Sequence, residues 1–560
     1  MQEQLPAYRR NSQPDQVGSR DIEDWVRSFE LRNGRKLRVL HVGNIANNAY
    51  LNAKFLRRAG VEADVLAYNY YHVMGTPEWE ELSITRDYGD DFRPQFSRDD
   101  LGSYERPGWF VSGPLLPSAS YLLARCAGDQ ARSESLWTSL EQARQGEPSS
   151  NRSVDPVDKL RRNWRAALIM LPYKVARQTA KIIHRSLRAW GFEGASQSFY
   201  RSVLALRVVR SIVDRLVVAS ARTKVHGSQL ARFEGMIAEF GALFPARADR
   251  VSFSDFAAYV DMMEPLEKLF SQYDIVQGYA TDPILPLICG KKPFAAFEHG
   301  TLRDFIREND PLHRLTALAY RKADHVFVTN GDCLEHAQWL GCENATAMLH
   351  PIDVDQHRQR DEAAIAALRK RYNADVLLFC PIRHDWSVKG TDIHIRALPD
   401  ICAQVRGRVV LVVAPWGLQV EDSRRLIKSL GCQSSVAWLE RPLSRVDFIR
   451  HMQAADVVLD QMTLPHFGAT APQSLAAGTP VVMSYKPEST AWIVSEPAPI
   501  LSAFTPADVA RVVVTALDPV WRADFNERAR AWVDVHHHSD RVVRDHLTAY
   551  RRILEDSPGR

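Results

Sequence analysis

The sequence predicts an α/β protein with two doubly wound, Rossmann-type domains. Its 560 residues are too many for a single hydrophobic core, so two or three domains are expected. Short apolar runs alternate with helical patterns in both halves of the chain, as in parallel sheets that are covered by helices. The composition is that of an ordinary globular protein, with 45% hydrophobic and 25% charged residues.

The N-terminal half opens with a strand, a turn, a helix and a second strand. Residues 37–42 have the apolar character of a buried strand, and 43–48 form the turn after it. The next helix runs from 49 to 59 and ends at Gly60, before a strand at 65–67. This order is typical of a doubly wound domain, but the turn lacks the Gly-x-Gly-x-x-Gly spacing of a dinucleotide site.

Further strands are predicted wherever a short apolar run stands between helical patterns. In the N-terminal half these runs are 274–278, 293–297 and 323–330. In the C-terminal half they are 376–380, 409–414, 436–439, 455–460 and 481–483. Beyond Pro506 helical patterns dominate.

These patterns divide the chain into regions. Residues 1–35 are a polar tail that includes one short amphipathic piece, and 36–355 form the N-terminal domain. A helical, basic insert interrupts that domain at about 104–250. Residues 356–530 form the C-terminal domain, and 531–560 are C-terminal helices.

The most informative motif lies at 465–482, with the sequence P-H-F-G-A-T-A-P-Q-S-L-A-A-G-T-P-V-V. It predicts a turn, a two-turn helix and a buried strand, because Thr470 can cap the helix, Pro472 suits its first turn and Gly478 ends it. A turn that leads into a helix N-terminus presents unpaired N–H groups and the positive end of the helix dipole, which suits a nucleotide diphosphate. The alternative is structural, since Thr470 and Gln473 also have the spacing of an ordinary capping box.

Two cations follow the predicted strand 376–380. Arg383 and Lys389 lie between this strand and the helix that is predicted from Thr391. Fixed cations at the end of a strand can stabilise negative charge on a bound anion. Either residue alone could be an ordinary solvated side chain.

His299 follows the predicted strand 293–297. Ligands of open α/β sheets bind beyond the C-terminal ends of the strands, so His299 is expected to face the cleft. A single histidine in such a place can also be purely structural.

Together these motifs resemble the donor site of family 4 retaining glycosyltransferases, whose usual form is Glu-Pro-Phe-Gly, four residues, then Glu-Ala-Met-Ala-Ala-Gly-Thr-Pro-Val-Val. Phe467, Gly468 and the run 475–482 match this form. Pro465 and Gln473 stand where the family has the two glutamates that hold the donor hexose and the ribose. Gln473 can still hydrogen-bond to a ribose diol, whereas Pro465 has no polar side-chain atom. Either the sugar is held differently, or the site has lost catalysis.

The resemblance implies a GT-B-like fold, in which an acceptor-side N-terminal domain and a nucleotide-sugar-binding C-terminal domain face a cleft. It also implies that the last helix crosses back to the first domain. The implied reaction is transfer of a hexosyl group to an acceptor hydroxyl with retention, without a metal and without a cofactor. The donor would be a nucleotide sugar such as a UDP- or GDP-hexose, and the acceptor a glycan or a lipid-linked molecule.

The resemblance also assigns roles to residues. Arg383 and Lys389 would bind the diphosphate, and His299 would lie at the reacting sugar. The remaining donor contacts would come from Phe467, Gly468, Ala469, Thr470 and Gln473. In the family the turn after the first strand faces the cleft, so contacts to donor or acceptor could come from Gly43, Asn44 and Asn47. These three are equally suited to be plain turn residues.

No dedicated metal site is predicted. Asp353 and Asp355 have Asp-x-Asp spacing, but their place matches the interdomain connector of the resembling family, which carries no ion. No other group of carboxylates, histidines or cysteines has convincing ligand spacing.

Cysteine usage and the N-terminus indicate a cytoplasmic protein. The seven cysteines are scattered without a Cys-x-x-Cys pair, which favours reduced thiols over a disulfide framework or a zinc site. The N-terminus lacks the apolar core of a signal peptide, and no uncharged run is long enough to span a bilayer.

The insert concentrates the positive charge. Residues 152–232 carry 17 Lys and Arg and four Asp and Glu, a net charge of +13, whereas the whole chain carries +4. One interpretation is peripheral docking on anionic lipid at the inner face of the membrane, near a lipid-linked acceptor. A second is contact with nucleic acid, and a third is a helical subdomain with solvated cations.

Three functions therefore remain open. The first is a glycosyltransferase of cell-surface or lipid-linked glycan synthesis. The second is a non-catalytic, transferase-like scaffold in a glycan-assembly complex, which is favoured by Pro465 and Gln473 in place of the two glutamates of the family. The third is an enzyme that glycosylates nucleic acid.

Overall fold

The computed structural model of the chain describes residues 19–68, 72–145, 219, 222–304 and 308–555. The described residues contain two parallel sheets, one in each half of the chain, and a small antiparallel ribbon. Helices pack on both faces of each sheet. The predicted fold class, two Rossmann-like domains of GT-B-like type, is confirmed.

The first sheet has seven parallel strands in the order β5-β2-β1-β6-β7-β8-β9. Their bounds are β1 Arg38–Val42, β2 Glu62–Ala67, β5 Phe110–Ser112, β6 Ile275–Tyr279, β7 Phe294–Phe297, β8 His325–Val328 and β9 Ala345–Ala347. The ribbon pairs β3, Gly89–Asp90, with β4, Arg93–Pro94.

The second sheet has six parallel strands in the order β12-β11-β10-β13-β14-β15. Their bounds are β10 Val376–Cys380, β11 Val409–Val413, β12 Val436–Trp438, β13 Val457–Leu459, β14 Val481–Met483 and β15 Leu501–Ser502. Every residue of the central strands β10 and β11 is buried, as expected for a sheet covered on both faces.

The helices of the first domain and its N-terminal extension are Ser19–Asn33, Asn48–Arg58, Pro77–Glu81, Arg98–Leu101, Leu115–Cys126, Gln130–Gln145, Gly227–Leu243, Phe253–Phe256, Val260–Phe270, Ile284–Ile288, Thr301–Asp304, Pro311–Lys322 and Gly331–Trp339. Those of the second half are Val354–Arg358, Glu362–Tyr372, Thr391–Gln404, Val420–Ser429, Arg445–Ala454, Thr470–Ala476, Pro506–Ala516, Pro519–His536 and Ser539–Glu555. Short 3₁₀ turns occupy Val73–Gly75, Gln433–Ser435 and Pro487–Ser489. Within the described ranges, no helix is long and apolar enough to cross a bilayer.

Strand β5 lies inside the range 104–250 that the sequence assigns to a helical insert. Phe110 and Val111 are buried and pair with β2, so this part of the range extends the first sheet by an edge strand. Sequence periodicity does not reveal so short a strand, because three residues give no repeat. Residues 152–218, which hold most of the basic segment, lie outside the described residues.

The two ends of the described chain pack on the first domain. Helix Ser19–Asn33, in the region read as a polar tail, buries Trp25 and Phe29 in the apolar core beside β1. Helix Ser539–Glu555 buries Tyr550 in the same core, and the Tyr550 hydroxyl donates a 2.7 Å hydrogen bond to Gln277 Oε1 in β6. The chain therefore passes from the second domain back to the first.

Tyr550→Phe should destabilise the first domain by about 1–3 kcal/mol, because it leaves the buried Gln277 oxygen without a donor. Urea unfolding measures the loss. Val535 is exposed, and the control Val535→Ala should change the free energy of unfolding by less than about 0.5 kcal/mol. Equal stabilities of Tyr550→Phe and the parent protein would contradict a docked final helix.

Candidate functional site

A cavity of about 260 Å³ lies between the two domains, at the C-terminal ends of their strands. It is lined by residues from both domains and from the connector between them, namely Ile45, Ala46, Asn48, Leu51, His299, Asn330, His350, Pro351, Arg445, Ala469 and Gln473. A second cavity, of about 20 Å³, is just large enough for a water molecule. Its lining includes His350, His466, Phe467, Gly468 and His537.

His299 lies where the sequence predicts it, directly after β7 and on the wall of the larger cavity. Its Nε2 atom is buried and has no hydrogen-bond partner among the described residues. Burial, with a smaller contribution from His350, lowers the pKa of His299 to about 3. The ring is therefore neutral at physiological pH and can exchange one hydrogen bond with a ligand.

Lys389 lies on the loop after β10. Its Nζ donates a 2.6 Å hydrogen bond to Gln461 Oε1, and Gln461 Nε2 donates a 2.6 Å bond to the carbonyl of His466. One side chain thus connects Lys389 to the motif at 465–482. Burial lowers the pKa of Lys389, while the nearby Asp460 carboxyl opposes this shift.

Arg383 precedes Lys389 on the same loop, and its side chain is 41% exposed. Its Nη2 atom lies 3.4 Å from Asp385 Oδ2, and its Nε atom has no partner among the described residues. The positive charge of Arg383 contributes to the lowered pKa of Lys389, so the two cations are near one another. Neither cation lines the two cavities described above.

The motif helix differs from the prediction at its start. Thr470 is the first residue of the helix, and Ala469 is the residue before it, without a side-chain cap. The Asp460 carboxyl, which is buried, instead accepts a backbone hydrogen bond from Ala471. Burial raises the pKa of Asp460 in spite of the nearby Lys389 ammonium and this bond.

Gln473 does not form the capping box that is the structural alternative for this motif. Its side chain is buried, and its Oε1 accepts a 3.1 Å hydrogen bond from Arg445 Nη1. Because the oxygen of the Gln473 amide faces Arg445, the N–H groups of the same amide point away from Arg445 and can face a ligand.

The turn after β1 contributes to the cavity through other residues than those predicted. Asn44 and Asn47 are fully buried, and their amides donate to the carbonyls of Gly75 and Thr76 at 2.9 and 2.8 Å. Gly43 has a φ of 88°, and a Cβ there would collide with the Asp282 carboxylate. All three therefore shape the turn, while its neighbours Ile45, Ala46 and Asn48 line the cavity.

Several polar residues at the cleft were missed. Arg303 pairs with Asp332, with Nη2 and Oδ1 2.8 Å apart, and His466 Nε2 lies 3.6 Å from the same oxygen. Arg303 stands four residues after His299, so the motif itself could have drawn attention to it. Arg445 and Gln461 have no such local signal. A separate group of potential metal ligands, Glu308, Asp310 and His313, lines neither cavity.

Two parallel-sheet domains that face each other across a cleft, with a basic loop and a turn-helix motif on one side, define the GT-B-like class. Residues 369–497 match the family model described as glycosyl transferases group 1. The matched range contains both Arg383 and Lys389 and the motif at 465–482. This match supports the resemblance to glycosyltransferases over residues 369–497 of the chain.

Curated relatives match part of the chain. The D-inositol 3-phosphate glycosyltransferase of Mycobacterium leprae is 29% identical over 211 residues, which are 35% of this chain and 47% of that protein. The protein of the same description from Mycobacterium sp. (strain JLS) is also 29% identical, over 35% of this chain and 46% of its own length. The chain thus spans about half the length of the curated relatives it matches.

Solved structures resemble the chain at low identity. Anabaena HepE in complex with UDP and glucose is 18% identical, covers 51% of this chain and 81% of its own, and has a TM-score of 0.41. A glycosyltransferase from Rickettsia africae is 11% identical, covers 93% of this chain and 100% of its own, and has a TM-score of 0.46.

Acid should weaken the fold partly through His350. Burial lowers the pKa of His350 to about 4, whereas an unfolded histidine titrates near 6.5. Between these values the unfolded chain binds more protons, so the stabilising contribution is complete above about pH 6.5 and is lost as the pH falls toward 4. Urea unfolding at pH 7 and pH 5 should show a smaller loss of stability for His350→Gln than for the parent protein. Identical losses would contradict the assignment.

Proposed function

We propose that this protein transfers a hexosyl group from a nucleotide-sugar donor to an acceptor hydroxyl with retention of configuration and without a metal. One observation carries the proposal: Gln461 joins the Lys389 ammonium to the His466 carbonyl by two hydrogen bonds of 2.6 Å. The basic loop and the turn-helix motif therefore meet at one place in the cleft.

Arg383 and Lys389 are the proposed diphosphate ligands. The hydrogen-bond partner of Lys389 is the neutral amide of Gln461, so this contact does not neutralise the ammonium charge. Partial burial makes that charge more effective, because electrostatic interactions strengthen as water is excluded. A nucleoside diphosphate leaving group gains charge during bond cleavage, and both cations would stabilise it most in the transition state.

His299 is proposed to contact the reacting sugar as a neutral hydrogen-bonding group. With a pKa near 3, it does not act as a general acid at neutral pH. No strong protein base is required in a retaining reaction on one face of the sugar, since the departing phosphate can accept the proton of the attacking hydroxyl.

The remaining donor contacts are proposed for Phe467, Gly468, Ala469, Thr470 and Gln473. Because the Gln473 oxygen is engaged by Arg445, its amide N–H groups would donate to ribose or phosphate oxygens. The first family glutamate has no counterpart at Pro465, so other groups would hold the hexose.

A second candidate is a non-catalytic scaffold in a glycan-assembly complex. Pro465 favours it, since this residue has no polar side-chain atom for the donor sugar. The composition of residues 152–232 supports an acceptor at an anionic membrane surface in either case, and contact with nucleic acid is the less favoured alternative.

Thermal unfolding with a panel of UDP- and GDP-hexoses tests donor binding, because a ligand that binds only the folded state raises the midpoint. The stabilising nucleotide sugar is then assayed for hydrolysis and for transfer. Binding with turnover supports the enzyme, whereas binding without turnover, or no binding at all, contradicts the enzyme and supports the scaffold.

Arg383→Ala and Lys389→Ala should each lower turnover roughly 10²–10³-fold, the usual effect of removing one group that stabilises transition-state charge. The thermal midpoint of Arg383→Ala should change little, since this side chain is 41% exposed. Lys389→Ala should lower the midpoint as well, because it leaves the buried Gln461 oxygen without its donor, so turnover is compared at a temperature where both variants are folded. Arg396, an exposed arginine that pairs with Asp392 in its own helix, provides the matched control. Near-normal turnover of the purified cleft variants would refute the assignment.

A further inference from the structure

A small unit of the first domain lies against the second domain. Residues 73–102, which we call the clasp, contain a 3₁₀ turn, two short helices and the ribbon β3–β4. The clasp has its own apolar core of Val73, Trp79, Ile84 and Tyr88, separate from the cores of both sheets. It is therefore packed as a unit of its own.

Hydrogen bonds join the clasp to the start of helix Arg445–Ala454. Ser83 Oγ donates to Asp447 Oδ1 at 2.7 Å, and the backbone N–H of Ile84 donates to Asp447 Oδ2 at 3.2 Å. Arg441 Nη2 donates to the carbonyl of Thr85 at 2.7 Å. These bonds connect residues that are more than 350 positions apart in the chain and belong to different domains.

Arg445 links the clasp to the cavity. Its Nε donates to Glu80 Oε1 at 3.2 Å, and its Nη1 donates to Gln473 Oε1 at 3.1 Å. The Glu80 side chain is 3% exposed and that of Arg445 is 19% exposed, so solvent screens this ion pair weakly. One guanidinium thus contacts the clasp with one nitrogen and a wall of the cavity with another.

The identity of residue 473 fits this arrangement. A glutamate at 473 would place a second carboxylate beside the same guanidinium and compete with Glu80. The neutral glutamine accepts one hydrogen bond and leaves the charge of Arg445 to Glu80. The planar guanidinium of an arginine donates to both partners in fixed directions, and the flexible ammonium of a lysine does not reproduce these directions.

We propose that Arg445 is a positioning residue that couples the seating of the clasp, meaning its docking on helix Arg445–Ala454, to the binding of a nucleotide at the Gln473 end of the cavity. With Glu80 in place, Arg445 fixes the Gln473 amide with its N–H groups toward the ligand. Without Glu80, the guanidinium and the amide lose their fixed orientation. By linkage, the coupling is reciprocal: the free energy by which the seated clasp favours nucleotide binding equals the free energy by which a bound nucleotide favours the seated clasp. This inference rests on the proposed function, which makes the ligand a nucleoside diphosphate.

The test uses the full chain and two readouts. Hydrogen–deuterium exchange of residues 79–88 measures the seating of the clasp without any ligand. Calorimetry with UDP and with GDP measures the nucleotide end of the cavity. Glu80→Gln and Arg445→Met should speed exchange in the clasp and weaken nucleotide binding roughly tenfold, a usual size for coupling between sites.

Arg445→Lys separates positioning from simple structural support. A lysine can keep the ion pair with Glu80, so exchange in the clasp should stay near that of the parent protein. Its flexible ammonium does not hold the Gln473 amide in one fixed orientation, so nucleotide binding should still weaken roughly tenfold. The control Arg396→Met should change neither readout.

Two results would overturn the proposal. One is clasp exchange in Glu80→Gln and Arg445→Met at the rate of the parent protein. The other is nucleotide binding by Arg445→Lys as tight as that of the parent protein. If the parent protein binds neither UDP nor GDP, the proposed function fails and so does the nucleotide coupling, while the exchange measurement still decides whether Arg445 seats the clasp.

Discussion

Two buried polar residues, Asp460 and Gln461, directly follow strand β13, and the cleft is organised around them. Gln461 uses both ends of its amide, one for the Lys389 ammonium and one for the His466 carbonyl. Asp460 faces the same ammonium and accepts from the backbone of Ala471. Because buried polar groups must be paired, these bonds hold the basic loop and the motif helix in one arrangement.

The first domain supplies the other side of the site and depends on contacts that are distant in sequence. The final helix returns to β6 through Tyr550 and Gln277, and the clasp lies on helix Arg445–Ala454. The histidines of the cleft, His299 and His350, are kept neutral by burial. These two histidines therefore offer neutral hydrogen-bonding groups, whereas the basic loop of the second domain presents positive charge.

Local patterns predicted the elements well and the contacts poorly. The bounds of β10 and the start of the helix at Thr391 follow directly from apolar runs and their ends. The motif helix was placed correctly, but Thr470 lies inside it rather than capping it.

Asn44 and Asn47 are good turn residues, and whether their amides face a ligand or the backbone depends on Gly75 and Thr76, about 30 positions away. Glu80 and Arg445 are 365 positions apart, and the local periodicity of a sequence cannot predict a contact over such a separation. The basic segment, the strongest charge signal of the sequence, lies mostly outside the described residues.

The Asp460 carboxyl lies at the amino end of the motif helix, where it accepts a hydrogen bond from the backbone N–H of Ala471. The first four backbone N–H groups of a helix have no partner within the helix. Because Asp460 already takes one of them, the start of this helix is fixed by an acid at the end of the neighbouring strand rather than by a side-chain cap of its own.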